Sequence, residues 1–164
     1  MIDVEFIRAS YRPERITTLF VGESAPASGD FFYFGNNAML QHMKRATEAV
    51  LGEGDDFLGR FKSFGWFLDD LVLTPVDKLA PPERRAKCVA ATSSLRDRIV
   101  AYRPLAIVSM LVSIKRIVEA AAKAAGSNAP VYGVPFPGMG QQRRFHTEMI
   151  KIIPLLPREF NRSG

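Results

Sequence analysis

The sequence predicts an α/β fold: a three-layer α/β/α sandwich with a central four-stranded parallel sheet. Three observations carry that expectation. Four short apolar runs alternate with four amphipathic patterns along 164 residues, as strands joined by crossover helices do. Two of the runs are almost continuously apolar and rich in β-branched residues, which suits parallel strands covered on both faces. No Gly/Pro/Ser-rich stretch is long enough for an interdomain linker, so residues 1–164 are expected to form one domain.

The elements follow in order. Residues 16–21 (ITTLFV) read as the first buried strand. Residues 37–51 place Leu40, Met43, Thr47 and Val50 at helical spacing. Residues 67–74 (FLDDLVLT) read as the second strand, interrupted by Asp69 and Asp70. Asp is unfavourable in a buried strand. Either one of these carboxylates meets a ligand or a strong donor, or the strand begins at Leu71 and both are solvated. Residues 81–102 open with two prolines and Glu83, then repeat Cys88, Thr92, Leu95 and Ile99 along one stripe of a helix. Residues 105–111 (LAIVSML) form the third strand. Residues 112–125 form a helix that Gly126 stops. Residues 131–134 (VYGV) are the fourth strand, and residues 141–153 are a helix ended by Pro154.

Composition narrows the function classes. Lys plus Arg is 22 and Asp plus Glu is 17, a net charge of +5 that mildly favours an anionic partner. The single cysteine, Cys88, excludes an intramolecular disulfide framework and a four-Cys iron–sulfur cluster, and a reducing, cytoplasmic setting is expected. His42 and His146 are too few and too far apart for a metal site, so no metal and no cofactor are expected. No apolar run approaches the ~20 residues a membrane span needs. The acidic start, Met1 to Glu5, does not read as a secretory signal. A monomer is expected.

In parallel α/β sheets, ligands bind beyond the carboxyl ends of the strands. That rule singles out three loops. The first holds Gly22-Glu23-Ser24-Ala25-Pro26 and then four aromatics, Phe31 to Phe34. It reads either as a capping Glu with an aromatic hinge or as a slot where a planar ligand stacks beside a rigidly placed carboxylate. The second carries Asp69-Asp70-Leu71-Val72-Leu73-Thr74. The third is Phe136-Pro137-Gly138-Met139-Gly140, leading through Gln141, Gln142, Arg143 and Arg144 into the last helix. A helix start with two arginines either is solvated or holds phosphate oxygens. The run Glu83 to Lys87 reads as a solvated helix start.

Together these loops resemble the active-site motifs of the uracil-DNA glycosylase superfamily, in order, over residues 16 to about 145. Gly22-Glu23-Ser24-Ala25-Pro26 is similar to the family's first motif, and Phe34 or a neighbour among residues 31–33 is similar to its base-stacking aromatic. Asp70-Leu71-Val72-Leu73-Thr74 stands where the family has an Asn-led strand motif, and Phe136-Pro137-Gly138 where it has His-Pro-Ser. The resemblance implies a DNA glycosylase that hydrolyses the N-glycosidic bond of uracil or another deaminated base and so initiates base excision repair. Glu23 and Ser24 would lie at the reacting centre. Gly22, Ala25, Pro26, Phe34, Asp70, Phe136, Pro137 and Gly138 would bind the base, and Gln141, Gln142, Arg143 and Arg144 the DNA. Two departures mark a divergent member: ionised Asp70 only accepts where Asn both donates and accepts, and Phe136 replaces His. The alternatives are a protein of the same fold that binds damaged DNA without turnover, and an α/β enzyme acting on a small nucleotide.

Overall fold

β1, Thr18–Gly22, lies inside a four-stranded sheet in a computed structural model that describes residues 3–159. The strands run in the order β2 (Trp66–Asp70), β1, β3 (Ala106–Ser109) and β4 (Val131–Gly133), all parallel. Every residue of β1, β2 and β3 is buried, which is why β1 and β3 carry apolar runs without alternation, whereas β2 ends in the buried pair Asp69 and Asp70. β4, at the sheet's edge, is only half-buried.

Helices cover both faces and complete the three-layer sandwich. α1 spans Val4–Ser10 and α2 spans Ala38–Leu51, the latter capped by the Asn37 side-chain Oδ1 accepting the Leu40 N–H at 2.9 Å. α3 (Phe57–Ser63) precedes β2. α4 (Pro81–Ala90) and α5 (Thr92–Tyr102) follow it, and α6 (Lys115–Ala124) and α7 (Gln142–Ile152) complete the set. α2 packs against α7, and α5 against α6. No helix among the described residues is long and apolar enough to cross a membrane.

Two sequence expectations change, and two helices are unforeseen. The second strand starts at Trp66 and ends at Asp70, four residues before Thr74. Its early start comes from Trp66, fully buried against Phe20 and Phe61 with ring centroids 5.4 and 5.6 Å away. The helix expected over residues 81–102 is two helices that meet at Ala91. Its N–H is shared between the Lys87 and Cys88 carbonyls, and the Thr92 hydroxyl bonds back to Val89 O at 2.7 Å. Finally, α1 and α3 gave no usable periodicity because each spans only seven residues.

The sheet's carboxyl end is set by register. Parallel pairing places Gly22 beside Asp70 and Val21 beside Asp69. Beyond that point the Leu71 and Val72 N–H groups still donate to Gly22 O and Glu23 O, at 2.8 and 2.9 Å. The first and second loops therefore leave the sheet side by side.

Candidate active site

A cavity of about 360 Å³ opens at that end, within the size range of small-molecule sites. Gly22, Glu23, Ser24, Ala25 and Pro26 form one wall, Asp70 its base, and Phe31, Phe32 and Phe136 supply rings. A larger groove of about 540 Å³ lies at the opposite end, before β3 and β4, with Arg103 as its only charged lining residue among the described residues. It gathers no group able to do acid–base work.

Asp70 is 6% exposed, yet ends a strand between two loops. Arg8 of α1, itself buried, donates from Nη2 to Asp70 Oδ2 at 2.6 Å and also bonds Glu5. Arg8 Nε has no hydrogen-bond acceptor among the described residues and stands 3.6 Å from Asp69 Oδ1. Arg98 of α5 holds the neighbouring groups, donating to Asp69 Oδ2 at 2.9 Å, Asp70 O at 2.6 Å and Leu71 O at 2.9 Å. Both aspartates are thus buried and paired, which overturns the alternative of a strand starting at Leu71 with solvated carboxylates.

The two aspartates differ in how their oxygens are used. Asp69 spends both oxygens on the scaffold, one on Arg98 and the other on the Asp70 N–H. Asp70 Oδ1 receives no protein donor among the described residues. Burial pushes the Asp70 carboxyl up to about 7; Arg8 pulls it down, Asp69 and Glu5 push it up, and Arg98 pulls it down. Burial opposes the charge on Arg8, but Asp70, Asp69 and Glu5 more than offset it and hold its pKa above the ordinary arginine value.

Gly22 is explained by this packing. A Cβ there would sit 2.6 Å from Asp70 Oδ1. The carboxylate cannot swing aside, because Arg8 pins its other oxygen. Gly22→Ala is therefore expected to lose about 1–3 kcal/mol of stability through overpacking; an unchanged urea midpoint would show that Asp70 yields freely.

Glu23 is held by Arg84 of α4, whose Nε donates to Oε2 at 2.9 Å and whose Nη2 bonds Oε1. The Cys88 thiol approaches Glu23 Oε2 at 3.6 Å. Burial, then the neighbouring Glu23 charge, raises the Cys88 pKa and keeps it a thiol. Arg84 belongs to the run that reads as a solvated helix start, so its position in the cavity wall corrects that reading. A two-point guanidinium grip fixes the carboxylate's rotamer. Ser24 Oγ accepts the Val76 N–H at 3.2 Å and ties the two loops together. The Ser24 and Ala25 N–H groups have no protein acceptor among the described residues.

The remaining candidates divide. Phe34 lies outside the cavity wall and packs edge-on against Phe31, 5.0 Å away, so Phe31 and Phe32 are the rings presented. The 3₁₀ turn of residues 32–34 causes this by reversing the chain after Phe31. Phe136 is half-exposed at the cavity's edge, whereas Pro137 is buried beneath the turn. Gly138 lies against the Phe136 ring, where a Cβ would come within 2.8 Å. Gln141, Gln142, Arg143 and Arg144 lie outside the cavity wall; the last three are exposed, and Arg144 bonds Gln141 Oε1 at 3.1 Å. Sequence reasoning missed Met139, which is 97% exposed in the left-handed region at φ 54°. No family model matches the chain, and no curated protein matches it.

Proposed function

We propose that the protein is a DNA glycosylase, hydrolysing the N-glycosidic bond of a base turned out of the helix, with uracil and other deaminated bases as the class the sequence resemblance implies. One observation carries the reading: Glu23, Asp70 and the Phe31 ring line a single cavity at the carboxyl end of β1 and β2. Rotating a base out of its stack costs a few kcal/mol, which stacking and hydrogen bonds in a pocket offset. Phe31 and Phe136 provide ring contacts for that base. The Ser24 and Ala25 N–H groups provide donors for a ring carbonyl.

Glu23 is the group for the sugar. Breaking the bond from C1′ to the base builds positive charge on the sugar, and a nearby carboxylate stabilises it and orients the attacking water. Arg84 keeps Glu23 in place for both tasks. Met139 is the side chain best placed to fill the gap in the duplex, since apolar residues on rigid turns act as wedges between base steps. Gln142, Arg143 and Arg144, exposed at the start of α7, suit contacts with flanking phosphates.

The reading is tested by incubating the protein with uracil-containing and hypoxanthine-containing duplexes, then scoring alkali-labile abasic sites. Tight binding with no abasic sites would favour the non-catalytic alternative. Competition by free nucleotide at equal concentration would favour a small-nucleotide enzyme. Arg143→Ala is expected to weaken binding across all sequences and reduce the slope of log affinity against log salt by about 1. An unaltered slope would remove Arg143 from the phosphate contacts.

A further inference from the structure

The charge balance of the cavity points to a different substrate class, an inference that rests on the glycosylase reading. Four carboxylates line the cavity: Glu23, Asp30, Asp70 and Asp77. Arg84 is the sole cation in the lining among the described residues, and it is committed to Glu23. Asp77 spends Oδ1 on the Ala27 N–H at 3.0 Å. Asp70 is the most buried of the four. Its Oδ2 is held by Arg8, which is not part of the cavity wall, so Oδ1 is the oxygen left for a ligand.

We propose that this cavity takes a cationic heterocycle, an N-alkylated purine of damaged DNA, in preference to neutral uracil. Ionised carboxylates accept hydrogen bonds and donate none, and a cation bound beside Asp70 favours its ionised form. Uracil flanks its ring N–H with two carbonyls, which would face that negative wall. A purine carrying delocalised positive charge and an amino group presents donors instead. The faces of Phe31, Phe32 and Phe136 attract such a cation further, most strongly where water is excluded.

The leaving group accounts for Phe136. When uracil departs, the electron pair of the C1′–N1 bond leaves an anion, which needs a hydrogen-bond donor. Phe136 has none. When an N-alkylated purine departs, the pair from the C1′–N9 bond moves onto the purine and cancels its positive charge. The base leaves neutral. Water oxygen bonds to C1′, and the water proton passes to Glu23. No oxidant, reductant or other co-reactant is needed.

The test has two arms on the wild-type protein. Calorimetry at pH 6.5 compares 7-methylguanosine with guanosine and uridine, and single-turnover assays compare release of 7-methylguanine and uracil from matched duplexes. We expect 7-methylguanosine to bind at least about tenfold more tightly than either neutral nucleoside, and 7-methylguanine to be released faster than uracil. Asp70→Asn, checked for folding by circular dichroism, should abolish the binding preference. Uridine binding as tightly as 7-methylguanosine, or no nucleoside binding at all, overturns the proposal. Faster uracil release overturns it while leaving the glycosylase reading intact. Preferential binding of the cation without release of either base supports the pocket's selectivity and ends the glycosylase reading.

Discussion

Arg8→Met is expected to destabilise the fold by about 3–5 kcal/mol, the usual cost of removing one partner from a buried ion pair. Methionine keeps much of the side-chain volume, so the loss reports charge. Without Arg8, Asp70 Oδ2 has no donor and Asp69 loses a neighbouring cation. The Arg8 guanidinium also sits over the Phe31 ring, 5.1 Å from its centroid, so the same change loosens a wall of the cavity. The groups facing Asp70 are Glu5 and Arg8 of α1, Asp69 of β2 and Arg98 of α5.

Those groups give the loss a pH signature. Burial raises the Asp70 pKa on folding from 3.8 to about 7, so its contribution to stability is fully present below 3.8 and is lost as pH rises to about 7. That loss is on the order of 4 kcal/mol. Arg8 favours the anion. Removing it keeps Asp70 protonated to higher pH, so the wild-type decline levels off above about 7 while the variant continues to fall. Urea denaturation at pH 5.5, 7 and 8.5 checks this, with the gap between the two proteins widening at the highest pH. A gap independent of pH would assign the Arg8 effect to packing.

Glu23→Gln is expected to lower base release by about 10²–10³-fold, within the range for removing a positioned acid–base group. Glutamine preserves the shape and still accepts from Arg84 Nε, but it carries no charge to stabilise an electron-poor sugar. DNA affinity should remain within about threefold, because Glu23 faces the cavity while, on the proposed reading, the exposed arginines of α7 would meet the backbone. Single-turnover release and gel-shift affinity separate the two effects. Unchanged release would take Glu23 out of the chemistry; affinity lost in step with release would show that it acts through binding.

Much of the architecture is legible in the residues themselves. Runs such as Leu19-Phe20-Val21 and Ile107-Val108 are apolar without alternation because both faces of the parallel sheet are covered, and that pattern is local. The loops beyond the strands, with Glu23, Asp70 and Phe136, are legible for the same reason: strand ends set where ligands bind. The break at Ala91 is not, since Cys88, Thr92, Leu95 and Ile99 keep one helical stripe across it. The break lets α4 bring Arg84 to Glu23 while α5 brings Arg98 to Asp69.

The sequence by itself determined the four strands, the main helical segments between them and the end of the sheet where the candidate site lies, because hydrophobic periodicity and turn residues act over short stretches of chain. Only the tertiary structure decided which charges meet. The Arg8 pairing with Asp70 spans 62 positions and the Arg84 pairing with Glu23 spans 61, and no local pattern encodes a contact made by folding distant segments into one low-dielectric space. That space fixes Asp70 as a buried carboxyl with one free oxygen, and Phe31 rather than Phe34 as a ring in the cavity wall.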